Sequence, residues 1–108
     1  MYEKETKKMQ QHAMRLKENM RAFFTRYVNE NIPEAKVYLF GSRMDDNAKG
    51  GDIDILIISK EKLSFMDISQ LRICFYKMFG EQKVDIVNFA YNEEDPFKNI
   101  ALNHAIEL

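Results

Sequence analysis

From Glu3 to about Asn31, apolar side chains recur at steps of three and four residues, which is the period of an amphipathic helix. The members of this stripe are Met9, Ala13, Leu16, Met20, Phe23, Phe24, Tyr27 and Val28. We expect the helix to end before Pro33, because the residue that precedes a proline is driven away from helical angles. The chain is therefore predicted to open on a long helix with one apolar face.

Three short apolar runs, rich in β-branched and aromatic residues, predict strands. They are KVYLF at 36–40, DIDILIIS at 52–59 and KVDIVNFA at 83–90. The middle run is apolar on both faces beyond its first residues, as is typical of a strand covered on each side. We expect this run to lie inside the sheet.

A second helix is indicated between the last two strands by its end signals. Ser64 and Asp67 can form a capping box at its start. The helix is expected to run through Phe79, because Gly80 is a typical stop signal. Its predicted apolar face comprises Leu71, Cys74, Phe75 and Met78.

A last helix is predicted after the third strand. Asp95 suits its N-cap, and Pro96 suits its first turn because a proline there needs no backbone donor. Its predicted apolar face comprises Phe97, Ile100, Ala101, His104 and Leu108. On this interpretation His104 is a partly buried structural histidine and not a catalytic one.

The order of elements is thus α-β-β-α-β-α, which predicts an α/β (α+β) fold with a small mixed sheet flanked by helices. With 108 residues, the chain is expected to form a single domain over residues 1–108. Its one cysteine, Cys74, excludes an internal disulfide and is interpreted as a small buried side chain.

The composition is that of a globular protein, with 45% hydrophobic and 31% charged residues. The formal net charge of -1 provides no overall positive field to attract nucleic acid. No apolar stretch approaches the ~20 residues that span a bilayer, and the polar start MYEKETKKMQQ lacks the apolar segment of a secretory signal. We expect a cytoplasmic protein without a nucleic-acid or membrane partner.

Two carboxylates stand close together at the start of the second strand. Side chains two apart in a strand point the same way, so Asp52 and Asp54 share a face. At a separation of about 5 Å and an effective dielectric near 20, their repulsion is roughly 3 kcal/mol. A divalent cation removes this repulsion, and oxygen ligands on a rigid strand suit Mg²⁺. Asp85, in the third strand, can join the pair if the two strands are neighbours.

The turn that ends the first strand has the properties of a phosphate site. Gly41 lets the backbone approach a ligand closely, and exposed N–H groups together with the Ser42 hydroxyl can bind an anion. Arg43 can add a charge-assisted contact. A strand ending in Gly-Ser and a strand opening with Asp-x-Asp together supply both halves of a metal-phosphate site.

The segments LFGSR, GGDIDILI and VDIV resemble the signature of the nucleotidyltransferase superfamily that includes DNA polymerase beta, and within it the minimal nucleotidyltransferases. The resemblance covers nearly the whole chain. It implies that Gly41 and Ser42 bind the nucleoside triphosphate. It also implies that Asp52 and Asp54 ligate two Mg²⁺ ions, for which Mn²⁺ can substitute, and that Asp85 completes the catalytic metal site. The loop before Asp52 is one residue shorter than in the commonest form of the motif.

The resemblance further implies the reaction and the partner. An acceptor hydroxyl would attack the α-phosphate of ATP or another nucleoside triphosphate, and a nucleoside monophosphate would be transferred as pyrophosphate leaves. Minimal nucleotidyltransferases are paired with HEPN-domain toxins, so we expect an antitoxin that modifies a tyrosine of its toxin. Two alternatives stay open, which are a small-molecule nucleotidyltransferase resembling the aminoglycoside enzymes and a non-catalytic antitoxin or nucleotide sensor. A homodimer is also compatible with the sequence.

The apolar surplus of the first helix allows two interpretations. Its methionines and aromatic residues exceed what one small sheet face obviously needs, so they can mark a partner surface. Core packing is the interpretation that we prefer. The residues concerned are Met9, Met14, Met20, Phe23, Phe24 and Tyr27.

Overall fold

The computed structural model describes residues 16–40, 53–80 and 82–108. Within these ranges the chain forms three helices and four strands. In chain order they are α1 (Glu18–Asn31), β1 (Lys36–Phe40), β2 (Ile53–Ser59), α2 (Phe65–Phe79), β3 (Val84–Ala90), α3 (Pro96–Asn103) and β4 (Ile106–Glu107). The predicted order is confirmed, and β4 follows it as an additional short strand.

The four strands form one mixed sheet in the order β3-β2-β1-β4. β2 pairs with β3 in parallel and with β1 antiparallel, while β4 pairs antiparallel with β1. Parallel neighbours need a long crossover, and α2 provides it between β2 and β3. The predicted central position of β2 is confirmed, since residues 55–59 are almost fully buried.

The larger part of the core lies between one face of the sheet and helices α1 and α2. Phe24 of α1 and Phe75 of α2 stack with ring centroids 5.2 Å apart, and both side chains are fully buried. Met20, Phe23 and Tyr27 pack partly buried around this cluster. For these residues core packing is confirmed, whereas Met9 and Met14 lie outside the described residues.

The capping box predicted for α2 is present. The Asp67 N–H donates to Ser64 Oγ over 3.1 Å, and the Ser64 N–H donates to Asp67 Oδ2 over 3.0 Å. These two bonds satisfy backbone donors that a helix start leaves unpaired. Gly80 ends the helix with a φ of 78°, a value that side chains with a Cβ rarely adopt. The predicted bounds of α2 are therefore confirmed, although Met78 is exposed and does not belong to its buried face.

The other face of the sheet is covered by α3. A smaller cluster forms here from Leu56, Ile58, Phe89 and Ala101, with Leu102 and Ala105 packed against it. This face also carries Tyr38 and Phe40 of β1. The two faces of β2 are thus both apolar, as its sequence predicts.

The predicted last helix is too long, and its predicted apolar face is only partly right. α3 ends at Asn103, His104 is its exposed C-cap, and β4 occupies the positions that were predicted to be helical. The reason is that the edge of β1 that faces away from β2 pairs with this segment instead. The Leu108 N–H donates to the Val37 carbonyl over 2.9 Å. Ala101 is buried as predicted, whereas Phe97 and Ile100 are exposed.

The predicted first helix is described only in part. α1 begins at Glu18, and residues 3–15 of the prediction lie outside the described residues. Its end at Asn31, before Pro33, agrees with the prediction. No helix in the described part of the chain is both long and apolar enough to cross a membrane.

Candidate active site

Two of the predicted aspartates face each other across neighbouring strands. Asp54 of β2 and Asp85 of β3 are partners in the parallel register. Neighbouring strands lie about 4.8 Å apart, and paired residues project to the same face. Ile53, Ile55 and Val84 pack in the core on the opposite side. Both carboxylates therefore belong to the face that carries α3, and both are half-buried.

Four predicted site residues lie outside the described residues, namely Gly41, Ser42, Arg43 and Asp52. The strands on either side of this segment are described. Phe40, the last residue of β1, is the register partner of Asp54 near the start of β2. The chain thus leaves β1 and enters β2 at the same end of the sheet, where Asp85 also lies.

α3 covers the same sheet face and reaches from its other end as far as Phe40, the register partner of Asp54. Its Phe97 ring contacts Phe40 at a centroid distance of 6.3 Å and Phe89 at 6.2 Å. Asp54 and Asp85 lie toward the starts of their strands, beside the cluster that Ala101 joins. The two carboxylates therefore stand beside the apolar part of this face and not within it.

A cleft of about 290 Å³ opens beside Asp85 at the start of β3. Its lining comprises Arg72, Phe75, Tyr76, Gln82, Lys83, Val84 and Asp85. Helix α2 forms one wall, and the residues that lead into β3 form the other. The lining thus includes one acidic, two basic and two aromatic residues.

Tyr38 shares the sheet face with the aspartates. Burial raises the pKa of its phenol, and the nearby acidic groups of Glu107 and Tyr91 raise it further. The phenol therefore stays neutral at physiological pH. It adds no negative charge to the face on which Asp54 and Asp85 lie.

Residues 23–108 match the family model of the nucleotidyltransferase domain. The chain belongs to this family. The match covers every described element from within α1 to β4, including both strands that carry the aspartates. The mixed α/β fold and the enzyme class expected from the sequence are thereby confirmed.

Individual nucleotidyltransferases show the same relationship. The probable protein adenylyltransferase MntA of Haemophilus influenzae is 35% identical over 65 residues, which are 59% of this chain and 57% of that protein. A chain in the crystal structure of a toxin-antitoxin with AMP-PNP superposes with a TM-score of 0.63 at 19% identity, covering 81% of this chain and 70% of that one. A chain from the tri-AMPylated Shewanella oneidensis HEPN toxin in complex with MNT antitoxin gives 0.59 at 19% identity, covering 81% and 66%. The structural matches show a shared fold.

Enzymes of the nucleotidyltransferase family generally use a divalent metal ion. Asp54 and Asp85 fit such an ion, because carboxylate oxygens on adjacent strands are the donors that Mg²⁺ prefers. In the described part of the chain, they are not joined by a third ligand into a metal-binding cluster. Asp52, the third predicted ligand, precedes the first described residue of β2.

The sequence did not reveal the role of Lys98 in this nucleotidyltransferase fold. Lys98 is 8% exposed, and its ammonium donates to the carbonyls of Ala90, Tyr91 and Glu93 over 2.9, 2.7 and 3.0 Å. An ammonium has three donors, so its hydrogen-bonding capacity is fully used. Lys98 thereby fixes the end of β3 to α3, at the opposite end of that strand from Asp85.

Asn88 is a second buried polar residue that the sequence did not identify. Its amide nitrogen donates to the Ile57 carbonyl and to Ser59 Oγ, both at 3.0 Å. Its amide oxygen accepts from the Leu63 N–H at 2.7 Å. Because these bonds join β3 to β2 and to the start of α2, Asn88 has a structural role. A larger cleft of about 500 Å³ opens at this end, away from the aspartates.

Proposed function

We propose that this chain is a Mg²⁺-dependent adenylyltransferase that moves AMP from ATP to a tyrosine hydroxyl of a HEPN-type toxin, and so acts as the antitoxin. The observation that carries the proposal is the register of Asp54 with Asp85. It sets two carboxylates side by side at the end of the sheet where the Gly-Ser segment begins. Oxygen ligands beside a phosphate-binding turn are the parts that nucleotidyl transfer needs.

In this proposal Asp52, Asp54 and Asp85 hold the two metal ions, and Gly41, Ser42 and Arg43 bind the triphosphate. When bound, the ions supply charge neutralisation on the phosphates and lower the pKa of the acceptor hydroxyl. The chain's own groups orient the nucleotide and move the proton.

Asp85 is the group that we assign to the acceptor. It borders the cleft at the start of β3, and its carboxylate takes the proton of the acceptor hydroxyl. The acceptor oxygen then forms a bond to the α-phosphorus, while the bond from that phosphorus to the oxygen of the leaving pyrophosphate breaks. At the end of the step the proton resides on Asp85, and the electron pair of the broken bond leaves with pyrophosphate.

The choice of a toxin as acceptor rests on the relatives. MntA of Haemophilus influenzae is a probable protein adenylyltransferase, and the Shewanella oneidensis complex contains an AMPylated HEPN toxin with its antitoxin. This chain spans 57% of the length of the MntA protein that it matches, so activity and partner are inferred from a partial alignment. A non-catalytic antitoxin would bind the same toxin without labelling it.

Nucleotide and metal should stabilise the chain together. With Mg²⁺ and AMP-PNP at about 100 times its dissociation constant, mass action raises the free energy of unfolding by about 2.7 kcal/mol. For a chain of this length that corresponds to a rise of roughly 10 °C in melting temperature. Thermal unfolding measured by circular dichroism checks this, with EDTA replacing Mg²⁺ as the control. An equal shift with and without the metal would contradict a metal-nucleotide site.

A further inference from the structure

Phe97 of α3 is an exposed aromatic residue beside the candidate active site. Its ring meets the Phe40 ring at a centroid distance of 6.3 Å and an interplanar angle of 72°, and it also contacts the Phe89 ring at 6.2 Å. Phe97 is nevertheless 46% exposed. The two contacts hold the ring in place, and nearly half of the residue remains available to a ligand.

The position of Phe97 is best described relative to a row of three residues that crosses the sheet. Asp85 of β3 pairs with Asp54 of β2, and Asp54 pairs with Phe40 of β1. Neighbouring strands lie about 4.8 Å apart, so this row is roughly 10 Å long, and paired residues project to the same face. Asp85 forms one end of the row. Phe40 forms the other end, and this is the end that the Phe97 ring contacts.

The proposed reaction gives each end of the row a different role. The acceptor hydroxyl lies at Asp85, which takes its proton. At the other end, Phe40 leads into the Gly-Ser segment that is proposed to bind the triphosphate. In phosphoryl-group transfer the attacking and leaving oxygens lie roughly in line on opposite sides of the phosphorus. The acceptor and the pyrophosphate therefore lie toward opposite ends of the row.

The nucleoside must extend in a different direction from both of these groups. Its 5′ oxygen is not one of the two in-line oxygens, so it leaves the α-phosphorus roughly at right angles to the row. The strands also run at right angles to the row, and α3 covers this face in the strand direction. A nucleoside that extends along the strands from Asp54 therefore meets α3, where the Phe97 ring stands against Phe40.

We propose that Phe97 binds the nucleobase of the nucleoside triphosphate by stacking. This inference rests on the proposed function and names the residue that holds the base. Every base has a π-face, so an aromatic ring contributes affinity without selecting one base over another. Aromatic side chains are also typical of the lining of small-molecule sites. The acceptor is a poorer occupant of this position, because it approaches at Asp85, at the opposite end of the row.

The test compares binding of a nucleotide with binding of its phosphates alone. AMP-PNP has a base, a ribose and three phosphorus groups, whereas inorganic tripolyphosphate has only the phosphates. Phe97→Leu keeps an apolar side chain against Phe40 and Phe89 but removes the flat ring, and Phe97→Tyr keeps the ring. Phe65→Leu is the matched control, at an 80% exposed phenylalanine of α2, the helix on the opposite face of the sheet. Isothermal titration calorimetry in Mg²⁺ gives the dissociation constants.

Phe97→Leu should raise the dissociation constant for AMP-PNP by about fivefold or more, which is the lower end of the effect of removing one base–aromatic stack. Its dissociation constant for tripolyphosphate should equal that of the wild type, because this ligand has no base to stack. Phe97→Tyr and Phe65→Leu should match the wild type with both ligands. An unchanged dissociation constant for AMP-PNP in Phe97→Leu would overturn the proposal.

Three other outcomes can be told apart. If the wild type binds neither ligand in Mg²⁺, the proposed function itself is contradicted, and the stacking role falls with it. Weaker binding of both ligands by Phe97→Leu would show that the ring supports the fold around the site. A higher KM for a HEPN-type toxin in AMP transfer, with unchanged binding of AMP-PNP, would show that the acceptor is the occupant. Either of the last two results overturns the proposal.

Discussion

Asp54→Asn should reduce kcat/KM for nucleotidyl transfer by about 10³-fold or more, the scale set by removing one group that stabilises a transition state electrostatically. The side chain keeps its shape and loses one negative charge. Asp54 is the register partner of Asp85, so the substitution leaves one carboxylate where the proposed metal site requires two. The steady-state rate of AMP transfer from labelled ATP measures the effect.

Glu107→Gln is the matched control for this substitution. It removes one carboxylate charge from an exposed residue of β4, the strand at the opposite edge of the sheet from β3. We expect transfer by this variant to stay within about twofold of wild type, since a distant exposed charge is screened by solvent. Comparable losses in both variants would mean that net charge, and not the Asp54 ligand, controls the rate.

Lys98→Met should lower the free energy of unfolding by about 3 kcal/mol or more, because hydrogen bonds to a charged group are worth about 1.5–3 kcal/mol each and several are lost together. Methionine preserves the length of the stem. The carbonyls of Ala90, Tyr91 and Glu93 lose the ammonium that donates to all three. Urea unfolding followed by circular dichroism gives the difference.

Lys62→Met provides the comparison. Lys62 also interacts with Glu93, through the carboxylate at 3.0 Å, but its side chain is 57% exposed. Exposed ion pairs contribute about 0–1 kcal/mol, so this variant should stay close to wild type. A small loss for Lys98→Met, similar to that for Lys62→Met, would contradict the role given to the buried ammonium.

Much of the fold was predictable because its signals are local. The capping box of Ser64 with Asp67 and the stop at Gly80 define α2 from nearby residues alone. The end of the chain depends instead on a distant partner. Ile106 pairs with Leu39 of β1, and hydrogen bonding to that edge replaces the last helical turn that the apolar spacing predicts. Pairing across such a sequence separation leaves no local pattern.

The candidate site was likewise predictable where its signals are local, and not where it depends on distant contacts. The alternation of a strand sets the face of Asp54 and of Asp85, and only the pairing of β2 with β3 had to be assumed. The burial of Lys98 could not be anticipated, because lysine is typical of exposed positions. Its three carbonyl acceptors come from the end of β3 and the irregular residues that follow it. From the sequence, a partner surface was considered only on the first helix, whereas among the described residues most of the large exposed apolar side chains lie on α2, including Met66 and Ile73.

The most direct measurement follows the phosphorus atoms of ATP. The chain and Mg²⁺ are incubated with a HEPN-type toxin, the proposed acceptor, and with ATP that carries its label at either the α- or the γ-phosphate. We expect that the α-label becomes bound to the toxin, that the γ-label leaves with pyrophosphate, and that both findings vanish with Asp52→Ala plus Asp54→Ala. Transfer of the γ-label, or toxin neutralisation by the double variant without any label, would contradict the proposed function.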